Sequence, residues 1–264
     1  MHPDFHNKRV TVVGMARSGV AAARALHALG ARVTITDKKP LDQLAEQVRI
    51  LGTKDIAVEA GGHPDRIFIE TDLIVLSPGV PKIAQVLQAQ RHGVKVIGEL
   101  ELGWLLSEGE FAGITGTNGK STVTTLVGLM LARAGKRTLV AGNIGNALTE
   151  EPAALTGKDW IVVELSSFQL EDIETFRPKV ATILNVTQDH LDRYASIEEY
   201  GAAKARVFLN QQQDDVLVLN FDDPLVRPMA DQAQSRIVWF SRFEKQPGGA
   251  YVESGRLVVM NQAI

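Results

Sequence analysis

Phe111-Ala112-Gly113-Ile114-Thr115-Gly116-Thr117-Asn118-Gly119-Lys120-Ser121-Thr122 is the stretch on which the fold of this chain turns. A short apolar run, Phe111 to Ile114, ends in a glycine-flanked loop, and a helix-like stretch, Val123 to Ala134, follows. Strand, turn and helix in that order describe a phosphate site. The two glycines let the backbone turn tightly with its N–H groups aimed inward, and the helix N-terminus adds positive potential. Lys120 supplies a mobile charge and Ser121 can hold Mg²⁺. The spacing departs from the Walker A pattern G-x-x-x-x-G-K-[ST], because Ile114 stands where the first glycine belongs and Gly113 comes one residue too early. The loop is therefore shorter than usual, and a glycine turn before a helix with a surface lysine is the bland alternative.

Working outward, 264 residues with 45% hydrophobic content suffice for two domains with real cores. The formal charge of −3 and the lack of a basic run argue against a nucleic-acid partner. Without cysteine there is neither a disulfide framework nor a thiolate metal site, which suits a reducing compartment. Met1-His2-Pro3-Asp4-Phe5-His6 lacks the apolar region of a signal peptide, and no later stretch has the apolar length of a membrane span. The expectation is a cytoplasmic protein with no membrane association.

The first domain is expected over residues 1–98. Arg9 to Val13 is a β-branched run ending in Gly14-Met15-Ala16-Arg17-Ser18-Gly19, followed by an Ala-rich helical stretch, Val20 to Leu29. A second strand, Arg32 to Thr36, ends at Asp37, at the spacing where a dinucleotide fold sets an acid against a ribose hydroxyl. The fingerprint is imperfect, since its middle glycine is Ala16 and a methyl obstructs close approach of a pyrophosphate. A plain packing turn would also account for it. Further strands are expected at Ile56 to Val58, Leu73 to Leu76 and Val94 to Ile97, with helices at Leu41 to Leu51 and Ile83 to His92. Such alternation means a parallel sheet. Ser77-Pro78-Gly79-Val80-Pro81 falls at its carboxyl edge, where ligands bind, although Pro-Gly is a turn signal anywhere.

The second domain is expected over residues 99–264, opening with a connecting helix at Gly98 to Trp104. Arg137 to Val140 reads as a strand running into Ala141-Gly142-Asn143-Ile144-Gly145-Asn146, and Trp160 to Val163 as a buried strand delivering Glu164. A strand-end acid in a P-loop fold is where a magnesium ligand belongs, the alternative being an acid that caps the Leu165-Ser166-Ser167 turn. Val180 to Leu184 is another buried strand, ending in the polar loop Asn185 to Tyr194. His190 in that loop could ligate magnesium, carry a proton or merely cap the loop. Ser196-Ile197-Glu198-Glu199 is a capping box for a helix over Ile197 to Leu209, with Tyr200, Ala203, Lys204 and Val207 on one side. A lysine among apolar neighbours snorkels its charge to water or must be neutralised, for example by carbamylation with CO₂. Val216 to Leu219, Arg236 to Phe240 and a hairpin within Ala250 to Met260, turned at Glu253-Ser254-Gly255, complete the strands.

Gly116 to Thr122, Gly142-Asn143-Ile144-Gly145, Glu164-Leu165-Ser166-Ser167-Phe168-Gln169-Leu170, Asn185 to Asp192 and Tyr200-Gly201-Ala202-Ala203-Lys204 together resemble the motifs of the Mur ligases. The Rossmann-like first domain, the Glu-Leu-Ser-Ser-Phe-Gln-Leu-Glu form and the Ser-Pro-Gly loop resemble the branch that adds D-glutamate to UDP-N-acetylmuramoyl-L-alanine. The fold implied is α/β, a Rossmann-like N-terminal domain followed by a P-loop-type central domain with a mostly parallel sheet. The resemblance implies that Gly116, Thr117, Asn118, Gly119, Lys120, Ser121 and Thr122 hold ATP, with Lys120 on the transferring phosphoryl. It implies two Mg²⁺ sites, with Ser121 on one ion, Glu164 and His190 on the other, and Lys204 carbamylated to organise the second. Arg17, Ser18, Asp37, Lys38, Ser77 and Gly79 would contact the UDP end of the substrate. Asn143, Ser166 and Gln169 would lie nearer its sugar and lactyl-alanine arm. The catalytic set is then Lys120, His190 and Lys204, in a protein expected to act as a monomer in peptidoglycan precursor synthesis.

Family members carry a third, C-terminal domain for the incoming amino acid and an asparagine-containing stretch late in the central domain. The sequence stops at Ile264 before either, so the expectation is a truncated form that binds substrate without turnover. The alternatives are another Mur-type ligase, MurC-like, and an NAD-dependent oxidoreductase resting on Gly14 to Gly19 and Asp37 alone.

Overall fold

A computed structural model describes residues 3–150, 156–190 and 192–263; Leu191 of the polar loop therefore lies outside the described residues. The chain forms two compact units, one of Met1–Glu108, Asn146–Leu155 and Asp172–Glu174, the other of Gly109–Gly145, Thr156–Glu171 and Thr175–Ile264.

In the first unit the chain runs β1 (Arg9–Val13), α1 (Arg17–Ala28), β2 (Arg32–Asp37), α2 (Ala45–Leu51), β3 (Ala57–Ala60), α3 (Arg66–Ile69), β4 (Leu73–Leu76), α4 (Ala84–Arg91), β5 (Lys95–Gly98) and α5 (Glu99–Leu105). The strands pair in the order β3-β2-β1-β4-β5, all parallel. Alternate residues feed two cores. Val10, Val12, Val33, Ile35 and Val75 lie in one apolar cluster, and Val13, Ile74, Leu76 and Val96 in the other. A parallel sheet must be covered on both faces, which is why its strands read as unbroken apolar runs. Each such side chain, fully buried, stabilises the unit by roughly 1.5–3 kcal/mol. Strand order reverses between β1 and β4, so the loops at Gly14 and Ser77 sit side by side at the switch point.

The second unit contains β6 (Glu110–Thr115), α6 (Lys120–Arg133), β7 (Thr138–Gly142), β8 (Trp160–Glu164), α7 (Ser167–Glu171), β9 (Val180–Ile183), α8 (Ile197–Ala205), β10 (Val216–Asn220), β11 (Arg236–Ser241), β12 (Ala250–Glu253), β13 (Arg256–Val259) and β14 (Gln262–Ala263). Its sheet runs β14-β13-β12-β11-β10-β9-β6-β8-β7, parallel from β12 to β7 and antiparallel through the closing strands. β6 lies between β8 and β9. The loops that leave these three strands therefore share one edge.

The α/β class with mostly parallel sheets is the one the sequence implied. Several boundaries differ. The helix expected over Leu41 to Leu51 begins as a 3-10 turn, Leu41–Leu44, after Pro40, and becomes α-helical only at Ala45. The helix expected to Leu209 ends its α-helical part at Ala205 and tightens into a 3-10 turn, Arg206–Phe208. α3 and α7 were not expected; each is little more than one turn, too short to show a helical period. Among the described residues no helix is long and apolar enough to cross a membrane.

Candidate functional site

β6 ends at Thr115, whose side-chain hydroxyl donates to the Leu165 carbonyl at 2.8 Å, while Leu184 N–H donates to the Thr115 carbonyl at 3.0 Å. The phosphate loop is thus clamped between the chain leaving β8 and the chain leaving β9. Asn185 fastens it further. Its carbonyl accepts from Thr117 N–H at 2.9 Å and its side-chain oxygen from Asn118 N–H at 2.8 Å, and its amide donates to the Asn118 carbonyl at 3.0 Å. Thr187 N–H donates to the Thr117 hydroxyl at 3.0 Å. The N–H groups of Thr117 and Asn118 are engaged by Asn185, whereas the first turn of α6 is differently placed. That turn has Gly119 at its N-cap with φ +83°, no side-chain cap and no acid, which leaves its N–H groups and its positive end open to an anion.

Lys120 is half-buried, and its ammonium donates to the carbonyl of Thr117 at 2.7 Å, folded onto its own loop. Lys204 lies beneath. It is 1% exposed on α8, so the snorkelling alternative does not hold. Its Nζ donates to the Gly116 carbonyl at 2.9 Å and stands 4.3 Å from the centre of the Tyr200 ring. Burial, assisted by the neighbouring Lys120 charge and opposed by Asp189, brings the Lys204 pKa down to about 7. A substantial fraction of the amine is therefore neutral near pH 7.

Glu164 is also buried, at 1% exposure, and its Oε1 accepts from the Asn143 side-chain amide at 2.8 Å. Its Oε2 is buried with no partner. A buried carboxylate oxygen without a donor costs free energy unless a cation answers it, so Glu164 fits a divalent ion. It does not cap the following turn, which has its own device. Ser166 Oγ accepts from Gln169 N–H at 3.3 Å, and Gln169 Oε1 accepts from Ser166 N–H and hydroxyl, both at 3.0 Å. Ser166 and Gln169, expected near the sugar arm, form a capping box at the start of α7 in this structure. Gly142, at φ +104°, lets the Asn143 loop close on Glu164: a Cβ there would stand 2.4 Å from the Glu164 carbonyl oxygen.

His190 is exposed, with φ +52°, and its ring centre lies 5.0 Å from Phe168 and 5.9 Å from Tyr200. Among the described residues no three His, Asp or Glu side chains converge as a metal cage.

In the first unit the Gly14 loop is held by Gly14 N–H on the Thr36 carbonyl at 2.8 Å and by the Ser77 hydroxyl on the Gly14 carbonyl at 2.9 Å. Gly19 is required by packing, since a Cβ there would stand 1.9 Å from the Gly14 oxygen. Asp37 accepts Met15 N–H at 2.7 Å and Lys39 N–H at 2.9 Å, so in this structure it organises the loop. Ser77 is buried in the same role. Arg17 donates to Glu150 at 3.0 Å and to Asn146 at 2.7 Å. Lys38 and Gly79 are exposed and Ser18 is half-buried. Of the expected UDP contacts, Asp37 and Ser77 are thus turned to the protein and Lys38 and Gly79 to solvent. Asn185 and Tyr200 carry contacts that were not expected of them; the sequence signals were the place of Asn185 in the polar loop after β9 and of Tyr200 on the Lys204 side of α8.

The chain matches known proteins in two stretches. Residues 114–259 match the Mur ligase middle domain, and residues 8–98 match the Mur ligase MurD-like N-terminal domain. The chain is 48% identical to the UDP-N-acetylmuramoylalanine--D-glutamate ligase of Geotalea uraniireducens (strain Rf4), covering 96% of this chain and 56% of that protein. It is 45% identical to the ligase of the same name from Koribacter versatilis (strain Ellin345), again over 96% of this chain and 56% of the relative. The chain thus spans little more than half the length of these relatives. In fold it is similar to the UDP-N-acetylmuramate:L-alanyl-gamma-D-glutamyl-meso-diaminopimelate ligase from Neisseria meningitides, with a TM-score of 0.64 at 16% identity, over 97% of this chain and 86% of that one. With the middle-domain match alone extending over more than half of its residues, and the phosphate loop, Glu164 and Lys204 all inside that match, the chain belongs to the Mur ligase family.

Proposed function

We propose that this chain is the substrate- and ATP-binding part of an ATP-dependent ligase that adds D-glutamate to UDP-N-acetylmuramoyl-L-alanine. The names of the relatives at 45% and 48% identity support the choice within the family. The observation that carries the chemistry is the arrangement at the end of β6: an open helix N-terminus, two lysine amines on the loop's own carbonyls, and a buried carboxylate oxygen without a partner. The first unit would hold the UDP end through the Gly14 and Ser77 loops, and the second would hold ATP.

A carboxylate is a poor acyl donor to an amine. One oxygen of the alanyl carboxylate attacks the γ-phosphorus of ATP, the bond to ADP breaks, and an acyl phosphate forms. The free amine of D-glutamate then attacks the acyl carbon; the tetrahedral intermediate expels phosphate, and the amine's extra proton is lost, leaving an amide. The first turn of α6 and Lys120 would stabilise charge on the transferring phosphoryl group once Lys120 leaves the Thr117 carbonyl. Glu164, His190 and Ser121, with Lys204 as a carbamate, would hold magnesium, which when bound neutralises charge between the anions. The low pKa of Lys204 supports carbamylation, since only the neutral amine attacks CO₂.

The test is calorimetric titration of the chain with UDP-N-acetylmuramoyl-L-alanine, with UDP-N-acetylmuramic acid and NAD as controls. Binding that requires the alanine is expected; binding of NAD in its place would return the first unit to the dehydrogenases.

A further inference from the structure

We infer that Glu171 is a positioning residue for His190, acting through Arg193 and Tyr194. Its carboxylate ends α7 and is used at both oxygens: Oε2 accepts from Arg193 Nη2 at 2.7 Å and Oε1 from the Tyr194 hydroxyl at 2.5 Å. The backbone N–H groups of the same two residues donate to the His190 carbonyl at 3.0 and 3.1 Å. Arg193 and Tyr194 thus grip His190 by their main chain and Glu171 by their side chains. An acid at the last position of a helix opposes the helix dipole, so the local stability of α7 does not account for Glu171.

The grip has something to resist. His190 sits at φ +52°, a left-handed conformation that costs a non-glycine residue free energy and persists only where the surroundings over-determine it. Asp189 supplies one restraint, accepting His190 N–H at 2.9 Å. The Glu171 network supplies the others. The Arg193 guanidinium lies 4.3 Å from the centre of the Phe168 ring, Tyr194 stacks on the same ring, and Phe168 faces the imidazole. Tyr194 also meets Tyr200, whose ring centre lies 5.2 Å away and touches both His190 and the Lys204 amine. Removing the carboxylate would free Arg193 and Tyr194 together and let His190 relax out of its strained conformation.

The inference rests on the reading that His190 faces a divalent ion held with ATP. The test uses the 264-residue chain with Mn²⁺ and ATP as probes, in the wild type, Glu171→Ala, Glu171→Gln and Tyr194→Phe. Free Mn²⁺ in the presence of ATP is measured by electron paramagnetic resonance, and the broadening of the His190 imidazole signals by nuclear magnetic resonance. ATP affinity is measured separately without metal. Outer-shell partners of metal ligands are worth about 10- to 100-fold in metal affinity, so Glu171→Ala should weaken Mn²⁺ binding about tenfold and leave metal-free ATP affinity within about twofold. Its His190 broadening should fall, and Glu171→Gln, which keeps an acceptor for Tyr194, should recover most of both. Unchanged Mn²⁺ affinity and broadening in Glu171→Ala would overturn the inference. If that variant does not fold, unchanged Mn²⁺ affinity and broadening in Tyr194→Phe, which removes the hydroxyl that Glu171 holds, overturns it equally. Should the wild type bind no Mn²⁺ with ATP, the metal reading fails, and the metal-free His190 signals decide the rest: a shift in Glu171→Ala supports positioning, and none refutes it.

Discussion

Lys204 holds an amine where water does not reach it, and the consequence is a pH dependence with a definite sign. Between about pH 7 and 10.5 the unfolded chain keeps a proton on this amine that the folded chain has given up. Stability therefore rises with pH across that window and loses this contribution as pH falls toward 7. Wild type is expected to gain on the order of a few kcal/mol relative to Lys204→Met between pH 7 and 10, read from urea midpoints at several pH values. A second residue-scale prediction concerns Gly142, where a methyl group would meet the Glu164 carbonyl and φ is +104°. Gly142→Ala is expected to destabilise the protein by at least about 2 kcal/mol in urea unfolding, and to displace Asn143 from Glu164. Neither effect is visible in composition; both come from a neighbour far along the chain.

At the scale of elements, α7 allows two roles for Ser166 to be told apart. If the hydroxyl caps the helix, as its contact with Gln169 N–H indicates, Ser166→Ala costs about 1 kcal/mol of stability, measurable with no ligand present. A residue that only touched substrate would leave ligand-free unfolding unchanged. The elements legible in the sequence were those with a strong internal pattern: the buried β-branched strands β1, β4, β8 and β10, and the loop-helix pair at Gly116 to Arg133. α3 and α7 were illegible because so short a helix has no period to recognise, and the start of α2 because the turn after Pro40 satisfies the same apolar spacing. For the site, residue types were legible and partners were not. The spacing and the resemblance set Asp37 at a ligand, but not its protein partner: the N–H it accepts belongs to Met15, in a loop that only the parallel pairing of β1 and β2 brings alongside. Likewise the unpartnered oxygen of Glu164 depends on which side Asn143 takes, and that is fixed by the fold of a different loop.

At the scale of the molecule, two units each with its own apolar core should respond to different ligands. Differential scanning calorimetry is expected to show ATP with Mg²⁺ raising one transition and UDP raising the other, each by about 2.7 kcal/mol at a hundredfold excess over its dissociation constant. A single transition shifted equally by both ligands would contradict independent sites. The pieces of the first unit, however, are scattered: Asn146–Leu155 and Asp172–Glu174 belong to it although they interrupt the second. Thr149 donates both its N–H and its hydroxyl to Glu99, whose carboxyl is fully buried and pushed up in pKa by that burial, and Glu174 N–H donates to Glu101. The units are compact in space but braided in the gene. A gene segment ending at Glu108 would strip Glu99 of the Thr149 donors and leave a buried acid unanswered, so no single cut yields the first unit intact.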